Sequence, residues 1–314
     1  MISMADVTRN PVLRRELAER ASSTLALVAI TAWLLLLSGL AWLVYVASVG
    51  ARGGSFTTDT ADVGKDLFEW TLFGMMGLVL FLVPAFTASA VAGERTRQTL
   101  IPVQMTTLGP FAIVLGKSLA AIAFTVLLVV VAAPILAVAF LIGGVGLWSL
   151  VKGLLMILLT AVMLGAVGIM FSSMVRKVQA AIVATYGFIL AIAVGTFILL
   201  GAAAIISALT SPQGFDQADP RPPKELLAPN PFVALADVTG DADNFFEANP
   251  LAGLRGLVRG LEEPQLFGPA PIDDEIPTEA TALWRWYVVF SVSTIYIALH
   301  VATGRLRTPA KTER

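Results

Sequence analysis

Six long apolar runs decide in which solvent this chain folds. Each run can cross the hydrocarbon core of a bilayer, which is about 30 Å thick and takes about 20 helical residues to span. Lipid offers the backbone no hydrogen-bond partners, so each run must form its own hydrogen bonds as an α-helix. The sequence therefore predicts an all-α membrane protein with a bundle of six transmembrane helices, at residues 24–49, 67–92, 111–142, 148–174, 178–209 and 283–302.

The composition agrees with this solvent, since 57% of the residues are hydrophobic and only 14% are charged. The chain has no cysteine, which excludes disulfides, thiolate metal sites and cysteine nucleophiles. Ionisable residues inside a membrane usually mark ion or proton pathways, and these spans carry almost none. Glu69, Lys152 and Arg285 are predicted at helix ends, and no catalytic residue, metal site or cofactor site is predicted in this chain.

Charged residues are sorted between the two sides of the predicted bundle. If both termini are cytoplasmic, that side has 13 basic and 5 acidic residues, while the other side has 8 basic and 17 acidic residues. An excess of lysine and arginine is typical of the cytoplasmic side, and an even number of spans also places both termini together. We therefore expect a multi-pass protein of a plasma membrane with both termini inside.

This orientation divides the chain into five parts. They are a cytoplasmic N-terminus (1–23), spans one to five (24–209), an extracellular loop region (210–282), span six (283–302) and a basic cytoplasmic tail (303–314). The loop region holds 11 of the 17 prolines and has 13 acidic against 4 basic residues. Its composition predicts extended linkers at 216–229 and 264–277.

Short helices are predicted inside the loop region, because Asn230-Pro231 and Asn249-Pro250 have the cap-then-proline pattern of a helix start. After Pro250 the pattern is amphipathic, with Arg255 and Arg259 opposite the apolar face. Such a helix lies on the outer leaflet or covers the exit of a pore, and a plain connector resting on lipid is the alternative.

The segment before the first span also has a helix start, since Asn10 can cap the helix and Pro11 suits its first position. Apolar and basic side chains then alternate with helical spacing, which predicts an amphipathic helix on the membrane surface; an anchor with no further role is the alternative. The residues that carry this prediction are Asn10, Pro11, Leu13, Arg14, Arg15, Leu17 and Arg20.

Residues 92–117 are the only sizeable cytoplasmic connection between predicted spans. The connection begins with Gly-Glu-Arg at residue 93, continues with Thr99-Leu100 and reaches Gly116-Lys117 where the next span begins. With these motifs and the N-terminal NPVLRREL, the chain resembles the permease subunits of type-2 ABC exporters. The resemblance covers the whole chain in architecture and about 40 residues in specific motif.

The resemblance implies a bacterial exporter in which this chain and a second permease chain, identical or related, form the substrate path as a dimer. Two copies of a separate ATP-binding subunit would hold ATP and magnesium and drive export. Gly116-Lys117-Ser118 lacks the spacing of a phosphate-binding loop, so ATP hydrolysis is not expected in this chain. The residues expected to couple to the ATP-binding subunit are Gly93, Glu94, Arg95, Arg97, Thr99 and Leu100.

Small residues recur every four positions in the fifth span, at Gly187, Ala191 and Gly195. Such a stripe lets helix backbones approach, either within the chain or, by the resemblance, at the dimer centre. A lipid-like or hydrophobic substrate is favoured, the lipid bilayer surrounds the chain, and nucleic acid is not an expected partner. An ion-coupled secondary transporter and a non-transport scaffold subunit remain alternatives; the scarcity of intramembrane charge argues against the first and the GERTRQTL segment against the second.

Overall fold

The structure is a computed structural model that describes residues 24–51, 60–88, 91–93, 110–210, 222–240, 249–262 and 282–307. Of these residues 92% are helical, and none is in a strand. The predicted surface helix at 10–20 and the coupling residues Glu94, Arg95, Arg97, Thr99 and Leu100 lie outside the described residues.

The helices follow the apolar runs of the sequence. The first four are α1 (Thr24–Ala51), α2 (Thr60–Thr87), α3 (Pro110–Ile142) and α4 (Leu147–Met174). The fifth run is divided into α5 (Val178–Leu190), a π-helix (Ala191–Gly195) and α6 (Thr196–Thr210). A 3-10 helix (Lys224–Leu227), α7 (Pro231–Thr239) and α8 (Pro250–Glu262) precede the last long helix, α9 (Leu283–Arg307).

Within the described residues, five segments are long and apolar enough to cross a membrane, as a multi-pass membrane protein requires. They are Ala26–Gly50, Thr60–Thr87, Leu147–Met174, Val178–Ser207 and Leu283–Arg305. Within α3, Val126–Ile142 is a further, shorter apolar helical stretch. The prediction of a helical membrane fold is confirmed at this level, and the count of six spans stays a prediction.

Helix α4 forms the centre of the bundle and packs against α2, α3, α5, α7 and α9. Several of its large side chains, among them Ile157 and Leu164, are fully buried. Gly168 lets α2 come close, because a Cβ there would collide with Thr87. Helix α1 and the α5–α6 segment lie at the periphery and expose large apolar side chains, for example Leu35 and Ile198. An exposed apolar periphery is what a lipid solvent requires.

A tight turn at 143–146 joins α3 to α4 and packs against the start of α2. Gly143 and Gly144 have φ angles of 111° and 77°, which side chains rarely tolerate. A Cβ on Gly144 would collide with the carbonyl of Ala61, and a Cβ on Gly64 with the carbonyl of Gly143. The glycines therefore allow backbone to pack directly on backbone at this point.

The connections define two ends of the bundle. We call the end that carries the 143–146 turn and the helices α7 and α8 the loop end. The opposite end, where residues 91–93, the turn between α4 and α5 and the last residues of α9 lie, is the terminal end.

Two sequence predictions differ from the structure at the loop end. Helix α2 begins at Thr60, well before the predicted residue 67, so Glu69 lies inside the helix and is buried rather than at its end. The predicted linker at 216–229 contains the 3-10 helix Lys224–Leu227. Proline content suggested an extended chain there, but Leu227 is fully buried in an apolar cluster with Val233 and stabilises this turn.

Candidate functional site: the two ends of the bundle

Residues 91–93 lead into the predicted coupling segment, whose first residue, Gly93, is the last residue of this described stretch. The backbone N–H groups of Val91 and Ala92 both donate to Ser172 Oγ, over 3.0 and 2.9 Å. Ser172 is fully buried near the last residues of α4. The first N–H groups of a helix have no acceptor within it, and Ala92 and Gly93 are helical. A side chain from another helix therefore caps the start of this segment.

Apolar contacts hold the same turn. Val91 is fully buried against Ile169 of α4 and Ala302 of α9. Just before it, the last turn of α2 is completed by a 2.9 Å hydrogen bond from Ala88 N to Pro84 O. Gly93 is half-buried beside this cluster. The two residues before Gly93 thus contact both α4 and α9.

An ion pair holds α8 at the loop end. Arg255 Nη2 lies 2.6 Å from Glu69 Oε1, and the two side chains are only 13% and 7% exposed. Arg255 Nη1 also lies 3.5 Å from the carbonyl oxygen of Ala236 in α7. The pair thus connects α2, α7 and α8. The amphipathic pattern placed Arg255 opposite the apolar face of α8, and in the structure this side chain is largely buried and pairs with Glu69.

Asparagines begin α7 and α8, at the positions that the Asn-Pro pairs predict. Asn230 Oδ1 accepts hydrogen bonds from the N–H groups of Phe232 and Val233, over 2.9 and 3.2 Å. Asn249 Oδ1 accepts one from Ala252 N over 2.8 Å. Both side chains therefore satisfy N–H groups that a helix leaves without an acceptor.

Two aspartates connect the short helices to the long ones. Asp237 Oδ2 accepts a 2.8 Å hydrogen bond from the backbone N–H of Trp284, near the start of α9. Asp66 of α2 accepts a 3.3 Å hydrogen bond from Ser48 of α1 and is 3.5 Å from Asn249 Nδ2. Helices α7 and α8 are consequently docked on the bundle through polar contacts at several points.

The stripe of small residues in the fifth span meets a feature that spacing alone does not show. Ala191 and Gly195 are the first and last residues of the π-helix, so four residues no longer return the chain to the same face. Gly187 and Ala191 are exposed and Gly195 is half-buried, and a Cβ on Gly187 would meet nothing within 4 Å. The role of the stripe as a packing face stays a prediction.

Sequence reasoning missed Ser172 and the Glu69–Arg255 pair. Ser172 carries no signal, because a serine near the end of an apolar run is common and its partners lie far away in the chain. The burial of Glu69 does have a signal in the sequence, since this residue lies four positions before Phe73 and within the apolar stretch of α2. An arginine in an acidic loop is a natural partner for such a carboxylate.

In the described part of the chain, no group of three or more histidines or carboxylates is arranged to hold a metal ion. The chain matches no protein-family model and no curated protein. What it does must therefore be inferred from its own residues and their contacts.

Proposed function

We propose that this chain is the membrane-spanning permease subunit of an ATP-driven ABC exporter. The chain would have six spans. The transporter would contain two copies of this chain, or two related chains, together with a separate ATP-binding subunit. Both termini and residues 93–110 would be cytoplasmic, and 210–282 extracellular. The proposed cargo is lipid-like or hydrophobic, because the spans have few charged side chains that could accompany a polar one.

The observation that carries the proposal is the pair of hydrogen bonds that Val91 and Ala92 donate to Ser172. The motif that resembles the coupling segment of these permeases begins at Gly93, and the two residues before it donate their N–H groups to Ser172. Val91 is also buried between α4 and α9. A partner that pushes on the segment would thus move the central helix of the bundle and its last helix together.

Purification of the chain from its own membrane tests the partner directly, since an ATP-binding subunit should accompany it. The charge-reversed variant Glu94→Arg with Arg97→Glu should lose that subunit or uncouple its ATP hydrolysis from transport. Losing a charge pair at a partly desolvated interface costs about 2–5 kcal/mol. Lys177→Glu is the matched control, because Lys177 is an exposed charge at the same end and outside the motif. Normal binding and transport by the double variant would refute the coupling role.

Orientation is tested by cysteine labelling, because the chain has no cysteine of its own. In intact cells an impermeant thiol reagent should label Asp241→Cys and leave Arg97→Cys unlabelled. Labelling of Arg97→Cys alone would invert the proposed topology.

The buried Glu69 favours a second candidate function, an ion-coupled secondary transporter, since proton coupling uses carboxylates within the membrane region. The two candidates differ in their energy source. In reconstituted vesicles, transport that follows an imposed proton gradient and is lost in Glu69→Gln supports ion coupling. Transport that needs ATP and the partner subunit, and continues without a gradient, supports the exporter.

A further inference from the structure

Asn230 uses both ends of its amide, and the two ends serve different parts of the molecule. Its Oδ1 caps α7 through the N–H groups of Phe232 and Val233. Its Nδ2 donates to the carbonyl oxygen of Ala193 over 3.0 Å and to Thr196 Oγ1 over 2.8 Å. Asn230 is fully buried, so these bonds form away from water. One side chain thus joins the start of α7 to the middle of a membrane-length helical segment.

Asn230 contacts this segment at the π-helix, through Ala193, and at the first residue of α6, Thr196. A π turn contains one residue more than the α-helix around it and shifts the backbone hydrogen bonds to partners five residues apart. Carbonyl groups displaced in this way need other donors, because none come from lipid. Ile192 O accepts from Thr196 Oγ1 over 3.0 Å, and Ala193 O accepts from Asn230 Nδ2. Side chains therefore supply donors to two carbonyls of the π turn.

Apolar contacts also join α6 to the segment that carries Asn230. Leu200 of α6 is buried with Leu227, Val233 and Leu283, and Phe197 packs against this cluster. Leu227 and Val233 belong to the docked segment 222–240, as Asn230 does. The rotational position of α6 and the docking of this segment therefore depend on each other.

We propose that Asn230 is a latch that holds Ala191–Gly195 in the π form while α7 is docked, and that releasing it returns the fifth span to a continuous α-helix. Loss of the extra residue rotates α6 by about 100° relative to α5, since an α-helix turns through that angle at each residue. Docking favours the π form, and by linkage the π form favours docking. This switch does not depend on the transport function proposed above.

The rotation has a signature that can be measured residue by residue. After the switch, each residue of α6 takes the angular position that the next residue had before. Leu199 and Ile206 are exposed in the docked form, while Leu200 is buried and Ala204 half-buried. Nitroxide labels on single cysteines at Leu200 and Ala204 should therefore gain contact with oxygen dissolved in the bilayer. Labels at Leu199 and Ile206 should lose it.

Two substitutions release the latch in different ways. Asn230→Asp keeps a capping oxygen of equal quality for α7 but removes the N–H donors to Ala193 and Thr196. Thr196→Val keeps the side-chain volume and leaves the cap of α7 untouched, while it removes the hydroxyl that both Asn230 and Ile192 contact. In both variants we expect the order of oxygen accessibility of the α6 labels to be inverted, so that the label at Ala204 is more accessible than the label at Ile206. Labels at Val183 and Thr185 in α5 should keep their ranking.

Asn249→Ser is the matched control, because it changes the other asparagine cap, keeps a capping hydroxyl and lies far from the π-helix in the chain. It should leave the α6 ranking as in the parent chain. An unchanged ranking in both Asn230→Asp and Thr196→Val would overturn the proposal, as would an equal inversion in the control. If the order of oxygen accessibility of the α5 labels also changes in Asn230→Asp, that variant is misfolded. The result for Thr196→Val then decides whether the proposal stands.

Discussion

The two ends of the bundle are held by different kinds of contact. At the loop end, side chains of the short helices and their caps reach into the long helices, as Arg255 does with Glu69 and Asn230 with Ala193. At the terminal end, the described residues before the predicted coupling motif are held by apolar contacts of Val91 and by main-chain N–H groups that share the hydroxyl of Ser172.

This difference bears on how much stability a single substitution removes at each end. Removing one partner of a buried ion pair leaves the other charge out of water, whereas a typical hydrogen bond contributes about 1 kcal/mol. Substitutions in the Glu69–Arg255 pair are therefore expected to cost more stability than substitutions at Ser172.

Stability should fall most when a substitution breaks the loop-end ion pair between Arg255 and Glu69. Arg255→Met leaves the buried Glu69 carboxylate without its arginine and should reduce the free energy of unfolding by about 3–5 kcal/mol. Titration with a denaturing detergent, followed by tryptophan fluorescence in lipid-detergent micelles, measures the loss.

The double variant Glu69→Met with Arg255→Met is the control for that prediction. It removes both charges and should recover most of the lost stability, because no charge then remains buried. A single variant as stable as the parent chain would mean that the pair does not hold the loop end.

A second substitution tests the close backbone packing near the 143–146 turn, which also lies at the loop end. Gly64→Ala should cost about 1–3 kcal/mol, since its Cβ collides with the carbonyl of Gly143. Gly77→Ala is the matched control on the same helix, because a Cβ there meets nothing within 4 Å. Alanine should stabilise the helix at this second position by about 0.5–1 kcal/mol. Equal effects of the two substitutions in the same unfolding titration would contradict the close approach.

A smaller effect is expected at the terminal end. Ser172→Ala removes the acceptor for two N–H groups and should cost about 1–2 kcal/mol, mostly as local opening of the turn. Hydrogen exchange at Ala92 should then accelerate by about 5–30-fold. Thr303→Val is the control at the same end, because the Thr303 hydroxyl donates to Leu299 of its own helix. Unchanged exchange in Ser172→Ala would show that the turn is held by apolar packing alone.

The smallest effect concerns the cap of α8, the helix that carries Arg255. Asn249→Ala should cost about 1 kcal/mol of stability, because Ala252 N loses its acceptor. Asn249→Ser should cost only a few tenths, since serine caps almost as well as asparagine. The unfolding titration used for Arg255→Met separates the two. A serine variant as unstable as the alanine variant would assign the role of Asn249 to its contact with Asp66.

Much of the fold could be predicted from the sequence, and the misses have a common origin. Helix α4 was expected at 148–174 and spans Leu147–Met174, because its apolar composition alone demands a helix in lipid. The start of α2 was placed too late, since the polar residues before Leu67 suggested a water-exposed loop. In the structure this part of α2 is helical, and the carboxylates of Asp66, before Leu67, and Glu69, after it, have partners on α1 and α8.

The helical character of the chain, its suitability for a membrane and the starts of α7 and α8 can all be read from the sequence. These properties depend on neighbours within a few positions, through hydrogen bonds and caps that a local pattern records. Three contacts could be found only in the folded chain: Ser172 caps a turn 80 residues away, Arg255 pairs with a glutamate 186 residues before it, and Asn230 contacts the π-helix. Such contacts arise from how the long helices pack, and packing brings together atoms that no local pattern relates.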